Sequence, residues 1–67
     1  MHSAQVALTV RPAGERALLL ETAGTAQAFA LHQYLSAAPL PGQVEAVPAA
    51  RTVLVRFATG AQARQAS

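Results

Sequence analysis

Apolar and polar residues alternate at the start of the chain: Val6, Leu8 and Val10 are interleaved with Ala7, Thr9 and Arg11. A period of two predicts a half-buried strand. Pro12-Ala13-Gly14-Glu15 supplies turn chemistry, since proline presets its own φ and glycine accepts a positive one. Arg16 to Glu21 reads as a second strand with apolar side chains on both faces, Leu18 and Leu20 on one and Ala17 and Leu19 on the other. So short a connection predicts an antiparallel hairpin.

Thr22-Ala23-Gly24-Thr25 breaks the strand pattern, with Thr25 as the expected N-cap of a helix. From Ala26 to Ala38 the residues are good helix formers, and Ala28, Leu31, Leu35 and Ala38 recur at spacings of three and four to give one apolar stripe. His32 and Gln33 fall away from that stripe, Phe29 lies well off it and Tyr34 sits at its border. Pro39-Leu40-Pro41-Gly42 stops the helix, because proline cannot continue it and restricts the residue before it. Val44 to Val47 predicts a short third strand and Pro48-Ala49-Ala50-Arg51 a turn. Thr52 to Phe57 predicts a fourth strand, with Val53, Val55 and Phe57 on one face and Thr52, Leu54 and Arg56 on the other. Ala58 to Ser67 is small and polar, the beginning of a helix too short to be useful.

The two halves echo each other. Pro12 to Leu20 is answered 36 residues later by Pro48 to Arg56, and Gly24-Thr25-Ala26-Gln27 by Thr59-Gly60-Ala61-Gln62. The expected architecture is therefore α+β: a four-stranded, mainly antiparallel sheet with one helix packed on it, ββαββ, reading as a ββαββα duplication cut off before its last helix. The echo has a flaw. Matching Pro12 to Pro48 pairs Leu20 with Arg56 and Glu21 with Phe57, so the inward faces of the second and fourth strands fall out of phase by one residue. Either a one-residue bulge or loop change separates the hairpins, or the echo is chance. Independently of the repeat, one helix covers one face of such a sheet. Leu19, Leu54 and Val47 then point to the other face, where an apolar patch marks a contact surface.

Sixty-seven residues make one small domain, which buries only ~60% of its unfolded surface and is marginally stable unless helped. No cysteine is present, so neither disulfides nor thiolate metal sites can help. The 52% hydrophobic content is largely alanine, which contributes little burial energy. Either a partner surface or further chain is expected. The net charge of +2 comes from five arginines against three glutamates, with no lysine or aspartate. The arginines are scattered without interleaved aromatics, which argues against nucleic-acid binding. No apolar run approaches the ~20 residues of a membrane span, and the expected location is cytoplasmic.

No constellation specifies a chemistry. His2 and His32 are the only histidines, and a metal site would have to gather ligands from Glu15, Glu21 and Glu45 at no recognised spacing. A Ser-His-Asp triad is impossible without aspartate; Ser36 lies one helical turn from His32, a spacing that favours a surface polar pair. The four glycines are isolated, so no phosphate loop is present. The expected catalytic, cofactor-binding and metal residues are none. The expected interaction surface is Leu19, Val47, Leu54, Arg16, Arg51 and Phe29, with the two hairpin turns carrying Glu15, Arg16 and Arg51 forming a docking edge.

Three blocks carry a family resemblance: Arg11-Pro12-Ala13-Gly14-Glu15-Arg16-Ala17-Leu18-Leu19-Leu20-Glu21, then Leu31-His32-Gln33-Tyr34-Leu35, then Ala38-Pro39-Leu40-Pro41-Gly42-Gln43-Val44-Glu45-Ala46-Val47-Pro48-Ala49-Ala50-Arg51-Thr52-Val53-Leu54-Val55. Together they resemble the N-terminal segment of the 5-oxoprolinase component also called allophanate hydrolase subunit 1. This is the carboxyltransferase subdomain C and D family, which includes the sporulation-kinase inhibitor KipI. The resemblance implies a small α/β domain of hairpins and helices followed by a cyclophilin-like β-barrel. It also implies work with two companion hydrolase subunits to hydrolyse a cyclic or ureido amide, with ATP in the 5-oxoproline case. The connection between Glu21 and the helix is shorter than in many members, and the family's second helix and barrel are expected to be missing after about Ala63. No catalytic residue carries over.

Two functions follow as expectations. One is an assembly or scaffold domain of an ATP-dependent amide-hydrolysing complex, inactive alone, with no cofactor in this chain. The other is a KipI-like module that binds and inhibits a histidine kinase. Expected partners are companion hydrolase subunits or the absent C-terminal domain, a histidine kinase, or a second copy covering the open sheet face; nucleic acid and membrane are not expected.

Overall fold

The computed structural model describes residues 8–67. Its elements run β1 (Thr9–Pro12), β2 (Ala17–Glu21), α1 (Thr25–Ala37), β3 (Gln43–Ala49), β4 (Thr52–Phe57) and α2 (Gly60–Ala66). The four strands form one antiparallel sheet in the order β1-β2-β4-β3. Residues opposite one another across an antiparallel pair share a face. The register joins Leu18 to Val55 and Leu20 to Val53, so these four lie together on one side. Both helices pack there: Ala28, Leu35 and Ala63 join Leu18, Leu20, Val53, Val55 and Phe57 in one buried cluster. Leu31, Leu40 and Ala46 pack against its margin. Val53 and Val55 are the largest side chains wholly enclosed, and burial of each contributes about 1.5–3 kcal/mol.

The strand phases expected from the period of two are those observed in β2 and β4. β1 departs from it. Val6 and Ala7 lie outside the described residues, and all four β1 residues are exposed, Val10 among them although it pairs with Leu20 on the helix side. β1 is an edge strand, and the helices sit over the remaining three strands. β3 is longer than Val44 to Val47. It continues through Pro48 to Ala49, which an edge strand tolerates because the missing N–H faces away from the ladder. Val44 is the extra residue of a bulge between Gln43 and Glu45.

The expected N-cap and the end of the apolar stripe are both corrected. Gly24, not Thr25, is the N-cap of α1, and no side chain caps it. The hydroxyl that matters is that of the buried Thr22, whose single O–H is shared between the carbonyls of Gly24 (2.9 Å) and Arg51 (2.8 Å). At the other end Ala38 is an exposed C-cap outside the stripe. There Gln43 accepts from Leu40 N and donates to Leu35 O, each at 3.1 Å, and ties the helix end to β3.

A second helix is present among the described residues, beyond the one helix expected. α2 forms over seven residues, capped by the Thr59 hydroxyl, which accepts from Gln62 N at 3.2 Å. Burial of Ala63 supplies the tertiary contact that a helix this short needs. The flaw in the echo also resolves. Pro12 faces Leu18 with residues 13–17 between them, whereas Pro48 faces Val53 with residues 49–52 between them. The second turn is one residue shorter. Beyond it the halves match at a spacing of 35, so that Leu18 corresponds to Val53, Leu20 to Val55 and Ala28 to Ala63, all buried. The shorter turn closes as two residues, Ala50 and Arg51, with Ala50 at φ +37°. The longer one uses Gly14 at φ +86°.

Candidate interaction surface

The sheet face opposite the helices is uncovered among the described residues. Its central row runs Arg11, Leu19, Leu54, Val47 across all four strands. Leu19 and Leu54 are half-buried and Val47 is 38% exposed. An ion pair stands on each side of the row. Arg11 Nε donates to Glu21 Oε1 at 2.7 Å, and Arg56 Nε to Glu45 Oε1 at 2.7 Å. These exposed pairs contribute at most ~1 kcal/mol each to stability. Their effect on the face is to satisfy both arginines locally, leaving an apolar centre with a neutralised border. On this face Leu19 and Leu54 are half-buried and Ala17 is buried, with no helix above them.

The other expected members of the surface lie elsewhere. Arg16 and Arg51 are both exposed, but Ala17 pairs with Arg56 at one end of the sheet and Glu21 with Thr52 at the other. The antiparallel β2–β4 pairing therefore sends the two turns to opposite ends, and they do not form one docking edge. Each contributes a backbone carbonyl instead: Arg16 O accepts from Phe57 N at 2.6 Å, and Arg51 O from Thr22 N at 2.8 Å. Phe29 is on the helix side, 58% exposed, beside a small groove shared with Thr25, Ala28, Pro48, Ala49 and Ala50. Tyr34 is 65% exposed on the same helix. Of the six residues, the fold gathers Leu19, Leu54 and Val47.

The polar residues considered for chemistry remain apart. His32 is half-buried and its Nε2 donates to the Ala46 carbonyl at 3.0 Å, joining α1 to β3 rather than to Ser36. Among the described residues no three His, Cys, Asp or Glu side chains come close enough to hold a metal ion. Gly14, Gly24, Gly42 and Gly60 stand in four separate places along the fold, so no phosphate cradle is built from them. Among the described residues no helix is long and apolar enough to cross a membrane.

The family model for the carboxyltransferase domain, subdomain C and D, matches residues 8–67. The chain belongs to that family. The matched span takes in every element of the sheet and both helices, including α2 and the open face. No curated protein matches the chain, and no solved structure does. Membership in the carboxyltransferase subdomain C and D family therefore rests on the sequence pattern of this one domain. Sequence reasoning found the open face through the strand phases. It missed Thr22 and Gln43, whose partners lie in distant or irregular backbone that no local pattern encodes.

Proposed function

We propose that this chain is an assembly domain of a hydrolase component of the 5-oxoprolinase or allophanate hydrolase type, working in a cytoplasmic, ATP-dependent amide-hydrolysing complex and inactive by itself. The family match over residues 8–67 is the observation that carries this reading. The geometry supports an assembly role: the described residues bring together an apolar-centred sheet face. Companion hydrolase subunits supply the amide chemistry and bind ATP, and this domain supplies a docking face centred on Leu19, Leu54 and Val47. The test is reconstitution. The purified chain alone turns over no 5-oxoproline, and the chain added to companion subunits supports ATP-dependent 5-oxoproline hydrolysis. Turnover by the chain alone overturns the proposal, as does a complex whose activity and composition ignore the chain.

The KipI-like reading draws on a different surface. Phe29 and Tyr34 are exposed on α1, a helix without a single charged residue, and such a surface suits docking against helices of a histidine kinase. It requires the chain to lower kinase autophosphorylation in a dose-dependent way; a flat dose response sinks it.

A further inference from the structure

Each ββα half lends its helix to the other: α1 lies on the second half's strands, and α2 bridges β4 of its own half and β2 of the first. α1, from the first half, packs on β3 and β4 of the second. Its first turn borders the second hairpin turn at Pro48, Ala49 and Ala50. α2, from the second half, packs on β4 and on β2 of the first half. Its start abuts the first hairpin turn so closely that a Cβ on Gly60 would come within 2.9 Å of the Glu15 carbonyl. The helix positions making these contacts correspond, Ala28 to Ala63, and so do the turn prolines, Pro12 and Pro48. The packing of α1 on β4 and of α2 on β2 is equivalent across the halves, as in a two-fold interface where one patch meets its own equivalent. The β2–β4 ladder completes the union, with Leu19 opposite Leu54 near its middle.

One connection joins the halves, Ala38 to Gly42. It must reverse the chain within five residues, and prolines at 39 and 41 push Ala38 and Leu40 toward extended backbone. Short hinges of this kind invite exchange between copies, because opening them releases strain while every contact elsewhere can be remade. We propose that this chain exchanges its second half, residues 43–67, with a second copy. The product is a two-fold dimer in which β2 of each copy pairs with β4 of the other in the register of the monomer. The cost relative to the monomer is that of association, so the dimer forms at high concentration and after unfolding.

The absence of native cysteine makes the exchange directly readable. Leu19→Cys is placed in one chain and Leu54→Cys in another; in the monomer neither has a partner. The two chains are unfolded together, refolded at high concentration, oxidised and run on a non-reducing gel. Exchange makes the covalent heterodimer the main species after co-refolding, and leaves it a trace when the folded chains are only mixed. Absence of the heterodimer after co-refolding overturns the proposal. So does equal cross-linking on simple mixing, which would mean contact between open sheet faces. Light scattering of the unsubstituted chain is the second measurement, independent of the cysteines. A species of twice the monomer mass after refolding at high concentration, persisting on dilution, supports exchange. Monomer at every concentration overturns it.

Discussion

Thr22 shows how much one side chain can hold. Its backbone N–H and its hydroxyl both reach the Arg51 carbonyl, and the hydroxyl also serves Gly24 just before α1. It thus ties the end of β2, the start of α1 and the β3–β4 turn together. Thr22→Val keeps the shape and removes the hydroxyl's bond, while the Arg51 and Gly24 carbonyls keep Thr22 N and Ala28 N as donors; a loss of about 0.5–1.5 kcal/mol in urea unfolding is expected. Ala50 is the opposite case. Its φ of +37° lies in left-handed territory that costs a side chain about 1–2 kcal/mol. Ala50→Gly is expected to raise stability in urea by about 1 kcal/mol, and an unchanged or lowered midpoint would contradict the turn geometry. Neither residue stands out in the sequence. A threonine before a helix reads as a cap, and an alanine in a turn reads as filler, because the partners that give each its role come from 29 residues away or from the turn length itself.

Among the elements, α2 depends most on its surroundings. Seven residues cannot sustain a helix alone. It is held by the Thr59 cap, by Ala63 in the core and by a close approach of Gln62 to Gly42. Gly42 has φ +81°, and a Cβ there would overlap the Gln62 side chain. Gly42→Ala therefore meets backbone strain and a steric clash at once. Amide exchange is expected to rise over residues 60–66 well before it rises in β2 or β4, whereas uniform protection would show that α2 does not rely on this approach. Thr59→Ala removes the cap alone and should cost about 1 kcal/mol, read from urea unfolding. The strand phases, by contrast, were legible throughout β2 and β4. Leu18, Leu20, Val53, Val55 and Phe57 follow a strict alternation, and burying one face suffices to set it. The start of α2 was legible but its packing was not, since small polar residues carry no stripe and the burial of Ala63 is decided by the strands beneath it.

At the scale of the whole molecule, one face of the sheet is packed by two helices and the other carries Leu19, Leu54 and Val47 bordered by two ion pairs. Leu54→Arg tests the second face. The residue is half-buried with no helix above it, so its replacement should leave the far-ultraviolet circular dichroism and the unfolding midpoint nearly unchanged while abolishing co-purification with companion subunits. Unfolding of the variant would mean that the face is part of the core, and intact binding would remove it from the docking surface. By itself the sequence determined where the strands and the first helix form, which side of β2 and β4 turns inward, and that Leu19, Leu54 and Val47 share the other side. These follow from periodicity and turn chemistry, which act over a few residues. Only the tertiary structure decided that β2 pairs with β4, that Arg16 and Arg51 lie at opposite ends, and that each helix reaches a strand of the other half. Those outcomes depend on which distant segments bury the most apolar surface together, a property of the assembled sheet that no local stretch of sequence contains.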